Sequence, residues 1–295
     1  MDTLSIGDVA REFVVSVRGV PVRCYRKGVG APLLLLHGLI GSGENWRRNI
    51  DRFSENATVY AIDLPNMGRS GRVRGLNASL AATAEFLAEL MRELGIECAD
   101  IAAHSRGGAV AMTLATLFRT RVRSLILFAP ANPFCDRSVG IRKFYGSRLG
   151  VRFARLVPHL PRKLKSIALG RMYGDPRRVP ADALPGYTNG LEVPGTIDHV
   201  LRILQTWTVD MRLLERSLAA LSSLPVLLIW GDRDRAVGLD SGYELQRRLG
   251  NADLRMLPGV GHIPFEEDPE AVNMIVTEWL GRVGVQASTP ELILA

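Results

Sequence analysis

The sequence predicts an α/β fold: a mostly parallel sheet with helices on both faces and a helical insertion over it. Three observations carry this. Near-solid apolar runs, among them PLLLLHG (32–38), TVYAIDLP (58–65) and PVLLIWGD (225–232), suit strands buried on both faces. Stretches with apolar residues at helical spacing alternate with these runs, and such alternation builds a parallel sheet covered on both sides. Between residues 131 and 224 the alternation stops, and nothing there resembles a buried parallel strand.

Taken in order, FVVSV (13–17) and VPVRCYRKG (20–28) are joined by Arg18-Gly19, a hairpin signal that gives the sheet an antiparallel start. PLLLLHG is the third strand. A helix is expected over 42–53, with Ser42 as N-cap and Trp46, Ile50 and Phe53 at helical spacing. After TVYAIDLP, residues 80–94 read as a helix ended by Gly95. ADIAAHS (99–105) is a strand, 107–118 a helix rich in small residues, and RVRSLILFAP (121–130) the sixth strand. PVLLIWGD is the seventh. Residues 239–249 form a helix, ADLRMLPG (252–259) the eighth strand, and 269–283 a closing helix.

The expected architecture is thus an eight-stranded, mostly parallel sheet. Residues 1–130 and 225–295 form its core, and 131–224 a helical cap, or lid, inserted after the sixth strand. The insertion leaves and re-enters one sheet, which favours a cap over a second independent domain.

Hydrophobic content of 47% and charged content of 23% over 295 residues are those of a soluble globular chain. Cys24, Cys98 and Cys135 are odd in number, far apart and without metal-ligand spacing, so free thiols in a reducing compartment are expected. The start, MDTLSIGDVAREF, scatters charges through a short apolar stretch and is not a signal peptide. The run 99–118 contains His104 and Arg106 and is too polar to span a membrane. A cytoplasmic protein with no transmembrane segment is expected, and oligomeric state is left open.

The net charge of +7 is uneven. Residues 131–224 hold 15 Lys or Arg against 7 Asp or Glu, and residues 137–178 hold 12 basic residues against one acidic residue, Asp175. The plain reading is a solvated Arg-rich helical surface. The sharper one is a surface that attracts something acidic.

Ligands of open parallel sheets bind at the carboxyl ends of the strands. Those ends carry His37-Gly38-Leu39, Asp63, Ser105, Asp232 with Asp234, and Gly261-His262. A serine, candidate acids and a histidine therefore follow in the order Ser, Asp, His. Serine hydrolysis needs these groups: one attacks, one takes and returns its proton, and a carboxylate orients the imidazole. Ser105, one of Asp232 and Asp234, and His262 are the candidate catalytic residues.

Five motifs, LLLLHGLIGSGENW, AIDLPNMGRSG, AHSRGG, LLIWGDRDRAV and GVGHIPFEEDPE, stand in order at fitting separations. From about residue 12 to residue 284 the chain resembles the α/β-hydrolase superfamily, in its capped serine-hydrolase, esterase-like branch. The resemblance implies Ser105 as nucleophile, Asp234 of the G-D-x-D turn as acid and His262 as base. It implies the backbone N–H groups of Leu39 and Arg106 as oxyanion hole. One departure is Ala103, where the G-x-S-x-G pattern has glycine; it adds one methyl at a crowded position and leaves room. Asp232 reads as a support of the turn, His37 as a residue ordering its own loop or touching substrate, and Asp63 as a loop-positioning residue.

Haloalkane dehalogenases and epoxide hydrolases carry aspartate at the elbow, so Ser105 argues against both. Cleavage of a carboxylic ester through an acyl-serine demands least beyond the triad. Carbon–carbon bond hydrolases, thioesterases and acyltransferases use the same machinery, and a small-molecule binding protein on this fold is the reading of a different class. No metal or organic cofactor is expected. Phe134, Tyr145 and Trp207, with Phe144, Phe153 and Met211, are candidate apolar lining under the cap. The stretch 149–170 suits an acidic acyl carrier, coenzyme A or an anionic membrane surface. Its place over a pocket argues against nucleic acid.

Overall fold

The computed structural model describes residues 10–135 and 139–288. The first nine residues, residues 136–138 (with Arg137 of the basic stretch) and residues 289–295 lie outside the described residues. Eight strands form one sheet in the order β1-β2-β4-β3-β5-β6-β7-β8. They are β1 Arg11–Val17, β2 Val20–Lys27, β3 Ala31–Leu36, β4 Ala57–Ile62, β5 Ala99–His104, β6 Val122–Phe128, β7 Val226–Gly231 and β8 Ala252–Leu257. β1 pairs antiparallel with β2, and β2 antiparallel with β4; all other neighbours are parallel. The hairpin turns at Arg18 and Gly19, both at positive φ, as a two-residue turn between twisted strands requires.

Along β3 the side chains alternate between two cores. Leu34 and Leu36 join one, Leu33 and Leu35 the other, and all four are fully buried. Each contributes roughly 2 kcal/mol of apolar burial, which explains the unbroken leucine run. The first face is covered by α2 (Leu80–Glu93), α3 (Arg106–Leu117) and α9 (Leu239–Leu249); the second by α1 (Ile50–Phe53) and α11 (Pro269–Ser288). The helix expected over 42–53 is instead a 3-10 turn, Gly43–Trp46, followed by the single turn α1. The Asn45 side chain accepts the Ser42 N–H at 2.7 Å, and the Asp63 carboxylate accepts the Gly43 N–H at 2.6 Å. Those side-chain bonds hold the segment as a loop.

Between β6 and β7 lie α4 (Val139–Gly146), α5 (Arg148–Leu156), α6 (Arg162–Gly170), α7 (Ala183–Thr188) and α8 (Thr196–Ser217), with no strand among the described residues. α8 sends Ile203, Met211 and Leu214 into the first core, while Leu169, Ala183 and Leu184 join the second. The insertion is therefore packed on both cores. A short helix, α10 (Pro264–Glu267), follows β8. Strand order reverses at β3, which lies between β4 and β5. The loop after β3 and the turn after β5 thus face each other across the crevice where open α/β sheets bind ligands.

Candidate active site

β5 runs directly into α3 through Ser105, at φ +49° and ψ −119°. That backbone conformation is strained for a side-chain-bearing residue and costs of order 1–3 kcal/mol. The surroundings impose it: the Ser105 N–H donates to Phe128 O, and Ser105 O accepts from Gly108 and Ala131 N–H. Gly107 has no room for a side chain, since a Cβ there would lie 2.5 Å from His37 O and 2.9 Å from Leu36 O. Ala103, the departure from the glycine pattern, is fully buried in the sheet.

Ser105 Oγ lies 3.1 Å from His262 Nε2, and His262 Nδ1 lies 2.8 Å from Asp234 Oδ2. The carboxylate accepts only from a protonated Nδ1, which leaves Nε2 free to accept the serine proton. Asp234 is buried, and its Oδ1 accepts the N–H groups of Ala236 and Val237 at 2.7 and 2.9 Å. Asp232 is exposed and instead ties two turns together, its Oδ1 accepting the Gly259 N–H at 2.7 Å. Three residues from three strand ends, 129 and 28 positions apart in sequence, thus form one hydrogen-bonded chain.

Leu39 borders the same cavity as Ser105, and the loop bends at Ile40, which has φ +60°. Arg106 is the first residue of α3, where an amide N–H has no partner within the helix. The Arg106 side chain turns away and is buried. Its Nη2 donates to Ala78 O at 2.8 Å and Thr83 Oγ1 at 3.3 Å. Loss of hydration pulls its pKa down to about 10, against the pull of Asp210.

His37 bridges two loops: Nδ1 donates to Gly38 O at 2.7 Å and Nε2 accepts the Leu64 N–H at 2.9 Å. Its pKa is lowered, chiefly by burial. His104 donates from Nε2 to His262 O at 2.9 Å, and burial, then His262, keeps it neutral far below the ordinary range. Asp63 accepts from Gly43 and Arg69 N–H and so holds the loop after β3 to the loop after β4.

A cavity of about 340 Å³ opens over Ser105 and His262. The core contributes Leu39, Ile40 and Ile263 to it, and the insertion contributes Val157, Leu160, Leu164, Leu184 and Leu191. Its one lysine, Lys165, is already bonded to Pro158 O and Glu192. A larger cavity of about 630 Å³, between the Arg72–Gly75 loop and the N-terminus of α8, contains none of Ser105, Asp234 and His262.

The residues expected to touch substrate lie elsewhere. His37 is spent on its two loop bonds. Phe134 sits under the Arg248 guanidinium at 5.2 Å, Trp207 packs against the first core, and Tyr145 makes an edge contact with Phe144. None of the four borders the cavity at Ser105. Aliphatic residues of α6, α7 and their connections take that place. Helical spacing alone does not say which face of an insertion turns toward the site.

Sequence reasoning also missed Glu266 and Glu267. Glu267 accepts Gly261 N–H at 2.7 Å, Gly174 N–H at 2.9 Å and Asp175 N–H at 3.0 Å. Glu266 accepts the Tyr173 hydroxyl at 2.5 Å and an Arg47 N–H at 2.6 Å, and burial raises its pKa. Together with the bond from His262 N–H to Met172 O at 2.6 Å, they fasten the histidine loop to the insertion. The visible signal was EEDPE, a run of acids that begins four residues after His262.

Among the described residues no group of three or more His, Cys, Asp or Glu could hold a metal ion, and no helix is long and apolar enough to cross a membrane. Cys24, Cys98 and Cys135 are free thiols.

A family model described as the alpha/beta hydrolase fold matches residues 31–269. The chain is 29% identical over 269 residues to the dihydrolipoyllysine-residue acetyltransferase component of an acetoin cleaving system from Cupriavidus necator, covering 90% of this chain and 68% of that one. It is 27% identical over 258 residues to a 2-hydroxy-6-oxononadienedioate/2-hydroxy-6-oxononatrienedioate hydrolase from Burkholderia vietnamiensis, covering 85% and 87%. Among solved structures, Cfl2 from Burkholderia cenocepacia superposes with a TM-score of 0.80 at 21% identity, covering 94% and 97%, a likeness of fold.

Proposed function

The chain belongs to the alpha/beta hydrolase fold family, and from that premise we propose that it is a serine hydrolase that cleaves carboxylic esters with an apolar acyl group. The observation that carries this reading is the hydrogen-bonded chain Ser105–His262–Asp234 beneath an aliphatic cavity. Ser105 Oγ attacks the ester carbonyl while its proton passes to His262 Nε2. Asp234 holds the ring tautomer and stabilises the imidazolium. The N–H groups of Leu39 and Arg106 receive the oxyanion, and the positive end of α3 favours the developing charge. Collapse breaks the ester C–O bond, and His262 returns the proton to the departing alcohol. A water then repeats the sequence on the acyl-serine, releasing acid and Ser105. Substrate and water alone balance the reaction.

Residues 131–224 act in this reading as the cap, and residues 1–130 with 225–295 as the core. The cavity lies near the small end of the roughly 300–1,000 Å³ range of small-molecule sites, which suits a short to medium acyl chain. Lys165, its only cation, is paired, so a dicarboxylate such as the Burkholderia vietnamiensis relative's named substrate would meet no free positive charge there.

The test is a set of initial rates over nitrophenyl esters from acetate to palmitate, beside a thioester and a β-diketone. Rates should peak at short to medium chains and vanish in Ser105→Ala. Faster cleavage of the diketone or the thioester would transfer the assignment to a carbon–carbon bond hydrolase or a thioesterase, and ester product formed with an added alcohol to an acyltransferase. A fluorophosphonate that leaves Ser105 unlabelled would favour a non-catalytic binding protein.

A further inference from the structure

A surface helix of a soluble protein normally turns its large apolar residues inward. α5 does the reverse. Its buried side is Gly150 and Ala154, while Leu149, Phe153 and Leu156, at i, i+4 and i+7, form a stripe facing solvent. They are 71%, 43% and 59% exposed. Phe144 of α4, also exposed, extends the stripe through a ring contact with Phe153 at 5.9 Å. On α6, Leu164 and Ile167 are each half exposed. Six large apolar side chains within residues 144–167 are thus exposed.

Cations flank the stripe. Arg148, Arg152 and Arg155 precede its three residues by one position and so run along one edge of the same helix. Arg162 and Lys163 open α6. Among the described residues Arg148, Arg152, Arg162 and Lys163 have no carboxylate within ion-pairing distance, whereas Arg155 pairs with Asp198 and Lys165 with Glu192. The patch also borders the site: Leu164 is half exposed and lines the Ser105 cavity, as do Val157 and Leu160 between α5 and α6.

We propose that the outer face of α4, α5 and α6 docks on an anionic phospholipid surface, with Phe144, Leu149, Phe153 and Leu156 entering the acyl boundary and the arginines meeting the headgroups. Apolar stripe and flanking cations on short helices are the two elements of an interfacial helix. A second copy of the chain is a poor occupant, because the insertion carries 15 basic against 7 acidic residues and would meet its own charge. An acidic carrier protein would use the cations but would gain little from an apolar stripe. As a route by which apolar substrates reach Ser105, the proposal rests on the esterase reading; as a binding surface it does not.

The experiment is therefore co-sedimentation of intact protein and of Ser105→Ala with vesicles of phosphatidylcholine, with and without phosphatidylglycerol, at low and physiological salt. Both proteins should bind the anionic vesicles, more weakly at higher salt. Each cation near such a surface contributes roughly fivefold. The pair Arg152→Glu and Lys163→Glu should thus lose about 25-fold or more in binding. The pair Leu149→Asp and Phe153→Asp should lose about as much, since each also removes apolar burial. Melting temperatures should change little, because all four side chains are exposed and only Phe153 gives up a ring contact, to Phe144.

Equal partitioning onto neutral and anionic vesicles, or none, overturns the proposal. So does a charge-reversal effect without an apolar effect, which points to an acidic protein partner. Lipid-free self-association abolished by the Leu149 and Phe153 changes makes the face a contact between copies. Because Ser105→Ala reports binding alone, loss of ester turnover and loss of membrane binding are read separately.

Discussion

Asp234 and Asp232 stand two residues apart in one turn, and replacing each by asparagine separates an orienting carboxylate from a structural one. In Asp234→Asn the amide oxygen can still accept from Ala236 and Val237, so the turn keeps its shape. The amide nitrogen, however, then faces His262 Nδ1 across 2.8 Å, donor against donor. The ring escapes by moving its proton to Nε2, which can no longer take the proton of Ser105 Oγ. Wrong-tautomer substitutions of this kind cost about 10⁴-fold in rate. At roughly 1.4 kcal/mol per tenfold, that is about 5.5 kcal/mol of transition-state stabilisation. In Asp232→Asn the amide oxygen can still accept the Gly259 N–H, so the rate should stay within about threefold, as one retained neutral hydrogen bond allows. The assay is kcat/KM on a soluble nitrophenyl butyrate, with the rate of fluorophosphonate labelling as a second readout of serine activation. An Asp234→Asn enzyme that keeps more than about a tenth of the wild-type rate, or an Asp232→Asn enzyme that falls further, would refute the assignment of Asp234 as the orienting acid.

Other outcomes are equally specific. Gly107→Ala should cost about 2 kcal/mol or more in urea unfolding and abolish labelling at Ser105, because the new methyl meets the backbone oxygens of Leu36 and His37 at the end of β3. Arg106→Met keeps the backbone N–H and removes only the buried guanidinium, so turnover should remain within about tenfold; a larger loss would assign the side chain a part in the chemistry. His199 accepts from Asn66 through Nδ1, and burial, with Arg106, Arg202 and Arg72 nearby, drops its pKa to about 4. A depressed folded pKa gives stability that is present above the unfolded value, near 6.5, and is lost as pH falls toward 4. Up to about 3 kcal/mol should disappear across that window in urea titrations, and His199→Gln should flatten the decline.

Much of this molecule is legible without coordinates. Strands β3 to β7 could be read because parallel strands buried on both faces leave an unbroken apolar record, as in PLLLL and PVLLIW. Ser105, an acid of the Asp232–Asp234 turn and His262 could be named because sheet topology brings strand ends together; the resemblance of the G-D-x-D turn then singled out Asp234. Asp232 as a turn support and His37 as a loop-ordering residue were readable for the same reason. The segment 42–53 misled, since its spacing is helical while the Asn45 and Asp63 side chains bond the backbone into a loop.

The sequence by itself determined which polar residues stand at the strand ends, the order serine, acid, histidine, and the concentration of positive charge in the insertion. Only the tertiary structure decided where that insertion turns its faces. It put Val157, Leu160 and Leu164 over Ser105 rather than Phe134, Tyr145 or Trp207, and it left Leu149, Phe153 and Leu156 in solvent beside Arg148, Arg152 and Arg155. It also gave the Arg106 side chain its place, under Ala78 and Thr83. The physical reason is common to all three. Strand side chains alternate with a fixed period about a shared sheet, so their facing follows from counting. A short helix in an insertion has no such frame, and its orientation is set by whichever distant residues it packs against.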